Sequence, residues 1–231
     1  MPEEKGKFIV IEGTDGSGKT EQTLRLVRRL QESGRTVQPF DFPRYNAPSS
    51  YFVQEYLNGK FGTLQEVDPR TASLFYALDR YAAAPEIKAA LADGTIVISN
   101  RYVASNLGHQ GGKHDDPEEM RAYFEWDQNL EFNLNRIPRP DGNIILLVPP
   151  ETSQALVDKK VERQYLGGKK RDLHETSLDH LARSYRAYRL LIELYPTEFF
   201  PIECVRDGNL LSIEEVHEMV WQTAQQIVGI A

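Results

Sequence analysis

Cysteine is nearly missing from this chain. Cys204 stands alone, which excludes an internal disulfide, fits a reducing cytoplasm and leaves an inert rather than a functional thiol as the expectation. Long hydrophobic runs are missing too. The longest strongly apolar stretch, Ile144 to Val148, is far short of the roughly 20 residues that a bilayer span requires. Met1 to Lys7 is charged and carries no apolar stretch of the signal-peptide kind. Excess positive charge is the third absence. Lys and Arg number 27 against 34 Asp and Glu, a net charge of -7, which argues against a general binder of nucleic acid or anionic membrane. Basic groups that meet phosphates must therefore be clustered locally. No repeat or low-complexity tract is visible. What remains, 231 residues of which 40% are hydrophobic, is ample for one globular domain spanning 1–231 with a buried core.

The stretch with a definite chemistry is Gly13-Thr14-Asp15-Gly16-Ser17-Gly18-Lys19-Thr20. It fits G-x-x-x-x-G-K-[ST], the Walker A phosphate loop. Phe8 to Ile11 before it is a short β-branched run suited to a buried strand. Glu21 to Ser33 after it reads as a helix with Leu24, Val27 and Leu30 on one face. Glycines in such a loop let backbone N–H groups turn inward and approach a polyphosphate. The helix N-terminus adds about half a positive charge. Lys19 reaches the β and γ phosphates, and Thr20 offers its hydroxyl to Mg²⁺.

Strands are expected at 7–12, 36–41, 95–99, 143–148 and 199–203. Helices are expected near 19–33, 68–92, 116–133, 174–194 and 212–228. The alternation predicts an α/β fold: a mainly parallel five-stranded sheet flanked by helices. Asp68-Pro69 and Asp116-Pro117 each place a cap before a proline at the first helical position. Ser212 with Glu215 makes a capping box. Pro85 falls inside a helical pattern and is expected to kink or break it. Arg163 to Asp172 sets two glycines beside dense positive charge; it reads as a solvated face or, beside a polyphosphate, as a mobile cationic lid at about 162–173.

A Walker loop alone also fits switches and motor ATPases, so the acceptor must be read elsewhere. Arg44 and Arg101 follow the second and third strands at their C-terminal ends, where ligands of open α/β sheets collect. Arg80 lies on the 68–92 helix, with Phe75 five residues before it. Each of these could equally be a surface ion pair or ordinary core. Together they would suit a second anionic ligand, because guanidinium grips phosphate bidentately.

Phe8 to Thr20, Phe42-Pro43-Arg44, Leu74-Phe75 with Asp79-Arg80, Asn100-Arg101-Tyr102 with Ser105-Asn106, Pro140-Asp141, Val148 to Glu151 and Arg171-Asp172 with Glu175 form an ordered set. In that order the chain resembles the thymidylate kinase family, P-loop nucleoside monophosphate kinases that phosphorylate dTMP. The resemblance is nearly collinear from Phe8 to about Val228. It implies ATP as donor, Mg²⁺, a homodimer and a cytoplasmic enzyme of nucleotide biosynthesis, with neither nucleic acid nor membrane as partner. Gly13, Asp15, Gly16, Ser17, Gly18, Lys19 and Thr20 would bind the donor, joined by Lys169 and Lys170. Phe75 would stack on thymine, and Arg80 and Asn106 would bond its edge. Arg44 and Arg101 would grip the acceptor phosphate, with His109 and Gln110 nearby. Asp15 would sit near the deoxyribose 3′-hydroxyl and, with Thr20, near the metal. Gly16 stands where some members carry a catalytic arginine, so the lid would supply it from Arg163, Lys169, Lys170 or Arg171.

Two residues depart from the family pattern. Asn100 replaces an aspartate, and an amide cannot take a proton. An acceptor phosphate with a second pKa of about 6 is already mostly dianionic at neutral pH and needs no base. His109 replaces a tyrosine that crowds the ribose 2′ position. A kinase for another nucleotide or nucleoside, or a nucleotide-binding regulator without turnover, remains the alternative.

Overall fold

The computed structural model describes residues 5–165 and 178–229; side chains at 159–165 fall outside the description, as do Lys169, Lys170 and Arg171. Five strands form one sheet: β1 (Phe8–Gly13), β2 (Val37–Asp41), β3 (Ile96–Asn100), β4 (Gly142–Leu147) and β5 (Phe199–Glu203), in the order β2-β3-β1-β4-β5. Every neighbouring pair is parallel. A short antiparallel pair, β6 (Val205–Arg206) and β7 (Asn209–Leu210), follows β5. The helices are α1 (Lys19–Glu32), α2 (Tyr51–Leu57), α3 (Pro69–Ala92), α4 (Val103–His109), α5 (Pro117–Gln128), α6 (Pro150–Tyr165), α7 (Leu178–Leu194) and α8 (Ile213–Val228).

Alternation along the strands feeds two cores. Phe8 and Val10 of β1 point into one with Val97, Ile145 and Leu147; Ile9 and Ile11 point into the other with Ile98, Ile144 and Leu146. Burial on both faces is why these strands read as unbroken apolar runs. The expected caps hold: Asp68 accepts from Arg70 and Thr71, Asp116 accepts from Glu118, and Ser212 with Glu215 closes a capping box. Among the described residues, no helix is long and apolar enough to cross a membrane.

Some expectations fail for physical reasons. Leu24 is 60% exposed, and α1 buries Thr23, Leu26 and Leu30 instead, a truer 3.6-residue stripe. Pro85 does not break α3, which runs from Pro69 to Ala92. Pro85 and Tyr81 are both exposed, so the carbonyl that loses its partner lies on a wet face. The 116–133 helix is α5 followed by wider π turns over Asn129–Leu134.

The topology places the site. β1 lies between β3 and β4, so the chain leaves it in opposite directions on its two sides. The crevice at such a switch point is where open α/β sheets bind ligands. The Walker loop joins β1 to α1 there.

Candidate functional site

The loop is built on backbone conformations that side-chain-bearing residues rarely adopt. Gly18, which precedes α1, has φ 86°. Gly16 has φ 80°, and a Cβ on it would lie 2.8 Å from the Ser153 carbonyl. An arginine at 16 would therefore be strained twice over. Thr14 Oγ1 lies 3.1 Å from Ser153 Oγ, tying the loop to α6. Lys19 is 6% exposed and donates to the Thr14 carbonyl at 2.7 Å.

Two hollows open at this edge of the sheet. The first is lined by Asp15 to Gln22 of the loop and α1, by Arg101, and by apolar groups of α6, α8 and β7 that include Leu156, Val216 and Leu210. Cys204 also lines it; burial pushes its thiol up to about 12, so it stays protonated. The second is lined by Asp15, Phe42, Pro43, Tyr45, Leu57, Tyr76, Arg80, Arg101, Tyr102, Ser105, Asn106, His109 and Gln110. Asp15 and Arg101 line both.

That shared pair is electrostatically tight. Arg101 Nη2 bonds Asp15 Oδ1, and Lys19 Nζ lies 3.8 Å from the same oxygen. Burial alone would raise the Asp15 pKa, but Arg101, His109 and Lys19 together hold it well below the usual carboxylate range. Arg101 occupies the left-handed region at φ 65°, a strained conformation held by its N–H bond to the Ile11 carbonyl at 3.0 Å. Beneath the pair, Glu12 is wholly buried and accepts from Tyr102 N, Ser105 Oγ and Tyr188 Oη.

The second hollow ends in a polar wall. Arg80, 2% exposed, bonds Glu131 through Nε at 2.9 Å and through Nη2, and reaches the Tyr102 carbonyl from Nη1 at 3.2 Å. Asn106 Nδ2 lies 3.2 Å from Asp127 Oδ1 and 3.4 Å from the Ser73 carbonyl. A carbonyl can only accept, so the amide nitrogen belongs on that side. Asn106 Oδ1 is left for the hollow. The wall thus shows N–H donors from Arg80 beside one acceptor from Asn106. Burial, then repulsion from Glu131, pushes Asp127 up to about 8. One cation beside two buried carboxylates explains why a proton stays.

Several expected residues meet here and three, Gly13, Phe75 and Arg44, do not. Asp15, Arg80, Arg101, Asn106, His109 and Gln110 converge on the second hollow, while Asp15 to Thr20 line the first. Gly13 ends β1 and lines neither. Phe75 is a correction. It packs among Phe52, Phe61 and Tyr56 at centroid distances of 5.3–5.9 Å, away from the hollow. Its neighbour on the helix, Tyr76, lines the hollow instead. It is four residues before Arg80, so the two share a helix face, whereas a spacing of five turns away. Arg44 is the other correction. Its backbone N and its Nε bond the Asp79 carboxylate at 2.7 and 3.1 Å, Nη2 bonds Ser49, and Pro43 takes the place at the wall. Arg163 and Arg171 are not described at the side-chain level.

Sequence reasoning did not reach Asp127, Glu131, His180 or Asp41. His180 Nε2 lies 3.1 Å from His109 Nδ1, and ligand atoms of Asp15, His109 and His180 fall within 4.8 Å of one another. The Arg101 guanidinium, 3.0 Å from His109 Nε2, already supplies the positive charge of that group. No local motif marks these residues; they meet through strand register and helix packing.

Comparison with known proteins agrees with the geometry. A family model described as thymidylate kinase matches residues 11–220. A thymidylate kinase of Bifidobacterium longum subsp. infantis is 31% identical over 225 residues, covering 96% of this chain and 88% of that one. One from Mycobacterium tuberculosis is 31% identical, covering 78% and 83%. The solved thymidylate kinase of Candida albicans shares the fold with a TM-score of 0.70 at 21% identity, over 96% of this chain and 92% of that one. With a phosphate loop at the switch point, a second hollow beside it, and a family match over most of its length, the chain belongs to the thymidylate kinase family.

Proposed function

We propose that the protein transfers the γ-phosphoryl group of ATP to dTMP, giving dTDP, with Mg²⁺ as the accompanying cation. The observation that carries this reading is the meeting of two hollows at Asp15 and Arg101. The Walker loop suits the donor polyphosphate. The second hollow suits a nucleotide laid with its base against Arg80 and Asn106 and its phosphate toward Arg101. Thymine presents a carbonyl at O4 and an N–H at N3. The wall offers Arg80 donors for the first and Asn106 Oδ1 for the second. Cytosine reverses both and would leave buried groups unpaired. Tyr76, not Phe75, is the proposed stacking residue.

Lys19 and Arg101 would neutralise transferred charge, and the acceptor dianion needs positioning more than a base. Thr20 would hold the metal, and Asn100 beside it fits, since its buried Oδ1 has no partner among the described residues. Asp15, already claimed by Arg101 and Lys19, is better placed to orient that arginine and the acceptor's sugar. Since Gly16 cannot carry an arginine, the cationic run 163–172 is the proposed source of a further positive group. Residues 1–231 would act as one catalytic domain, in the cytoplasm. We also propose a homodimer. Its support is the stripe Leu74, Leu78 and Tyr81 on α3, exposed at 43%, 50% and 55%.

The deciding experiment measures turnover with ATP on dTMP, dUMP, UMP, CMP and thymidine, with and without Mg²⁺. The expected order has dTMP first and CMP lower by about two orders of magnitude or more. Equal rates on UMP and dTMP would end the claim of thymidylate selectivity.

A further inference from the structure

A divalent cation beside the donor phosphates needs more than the neutral hydroxyl of Thr20, and P-loop enzymes complete such a site with a carboxylate. Glu12, Asp15, Glu21 and Asp41 are acidic groups near this end of the sheet, and Glu21 is paired with Arg25 at 2.6 Å. Glu12 is 0% exposed and spends its oxygens on Tyr102, Ser105 and Tyr188. Asp15 is bonded to Arg101 and has Lys19 at 3.8 Å. Asp41 differs from all three. It ends β2 with its side chain exposed, and it makes no ion pair among the described residues.

Asp41 is nevertheless held in place. It is the register partner of Asn100 across the β2–β3 ladder. Asn100 Nδ2 donates to Asp41 Oδ1 at 2.8 Å and lies 3.4 Å from Thr20 Oγ1. One amide group therefore connects the Walker hydroxyl to an accessible carboxylate. Asn100 is only 7% exposed, and its Oδ1 is buried with no hydrogen-bond partner among the described residues. An unpartnered buried oxygen beside a hydroxyl and a carboxylate is an oxygen set suited to Mg²⁺ and its retained waters.

We propose that Asp41 is the carboxylate of the divalent-cation site, acting on the cation or its water shell, while Asn100 positions it toward Thr20. The negative charge stands on β2, one strand over from the amide on β3. The inference rests on the reading that a metal accompanies ATP. It does not depend on which nucleotide accepts the phosphoryl group.

The test titrates Mn²⁺ into the full-length protein with ATP and follows the free Mn²⁺ signal by electron paramagnetic resonance. Asp41→Asn should weaken Mn²⁺ binding in the ATP complex about 10- to 100-fold, with ATP binding in chelator unchanged. The exchange Asp41→Asn with Asn100→Asp should recover most of that loss, because the two positions face each other across the ladder. Asn100→Asp alone, in a protein that keeps Asp41, should bind Mn²⁺ at least as tightly as the unaltered chain. Wild-type Mn²⁺ affinity in Asp41→Asn would overturn the proposal, as would an exchanged double variant no better than the single one. Should Asp41→Asn fail to fold, Asp41→Ser gives the same reading at this exposed strand end. If the unaltered protein binds Mn²⁺ with ATP yet turns over no dTMP, the acceptor assignment fails and the metal proposal stands.

Discussion

Tyr76 and Phe75 are adjacent aromatics on one helix with different surroundings. Phe75 stacks on Phe52 at 5.8 Å in a satellite cluster, and Tyr76 lines the hollow. Tyr76→Ala should raise KM for dTMP by roughly tenfold or more, since base–aromatic stacking contributes about 1–3 kcal/mol. Phe75→Ala should leave KM nearly unchanged and lower stability by less than the ~3–5 kcal/mol of a fully buried phenylalanine. Steady-state kinetics and denaturant melts on both variants check the pair; a KM effect confined to Phe75→Ala would reverse the assignment. Asp127 gives a second expectation. Its native pKa of about 8 lies above its unfolded value of about 3.9. The native state then binds more protons between those pH values, so this group makes stability fall as pH rises through the window. Asp127→Asn should therefore flatten the pH dependence, with a larger gain in Tm at pH 9 than at pH 5. The motif residues were legible because each carries its chemistry in its type and spacing. Asp127 and Glu131 were not, since their role comes from facing Asn106 and Arg80 across helix packing at sequence separations of 21 and 51.

At the level of elements, the sheet and most of the long helices followed from apolar runs, caps and prolines, and all five strands of the sheet fall within one residue of those expected at both ends. What could not be read were α2, α4 and the β6–β7 pair, each too short to show a period, and the 16-residue α6, whose largely polar sequence carries only a weak apolar stripe. The π turns after α5 were also missed, because a wider turn leaves no signature in residue type. Pro85 shows how context overrides a local rule. Its missing N–H falls on the wet face of α3, so the helix continues. An interior proline still costs up to about 3 kcal/mol relative to alanine. Pro85→Ala should therefore raise the denaturation midpoint without changing the slope m. An unchanged or lower midpoint would show that Pro85 is compensated by packing.

For the whole molecule, the apolar stripe on α3 is the surface to examine. Leu74, Leu78 and Tyr81 follow the spacing of one helix face and remain exposed on a chain with a net charge of -7. Burying them against a second copy would remove that liability. Leu78→Glu should convert a dimer to a monomer in sedimentation velocity, with the far-UV circular dichroism spectrum unchanged. A sedimentation coefficient that stays dimeric would place the interface elsewhere. The -7 charge also means that the site must draw nucleotides in by local field alone. Arg101 and Lys19 stand against an acidic background.

The clasp between Arg101 and Asp15 has one more consequence. A guanidinium already satisfied by a carboxylate has little left to offer when water, rather than a nucleotide, approaches the terminal phosphate of the donor. In the proposed reaction, the acceptor dianion would compete with that carboxylate. In the proposed kinase, wasteful hydrolysis would thereby be restrained until the right passenger had boarded, and fuel would be spent on the reaction rather than on idling.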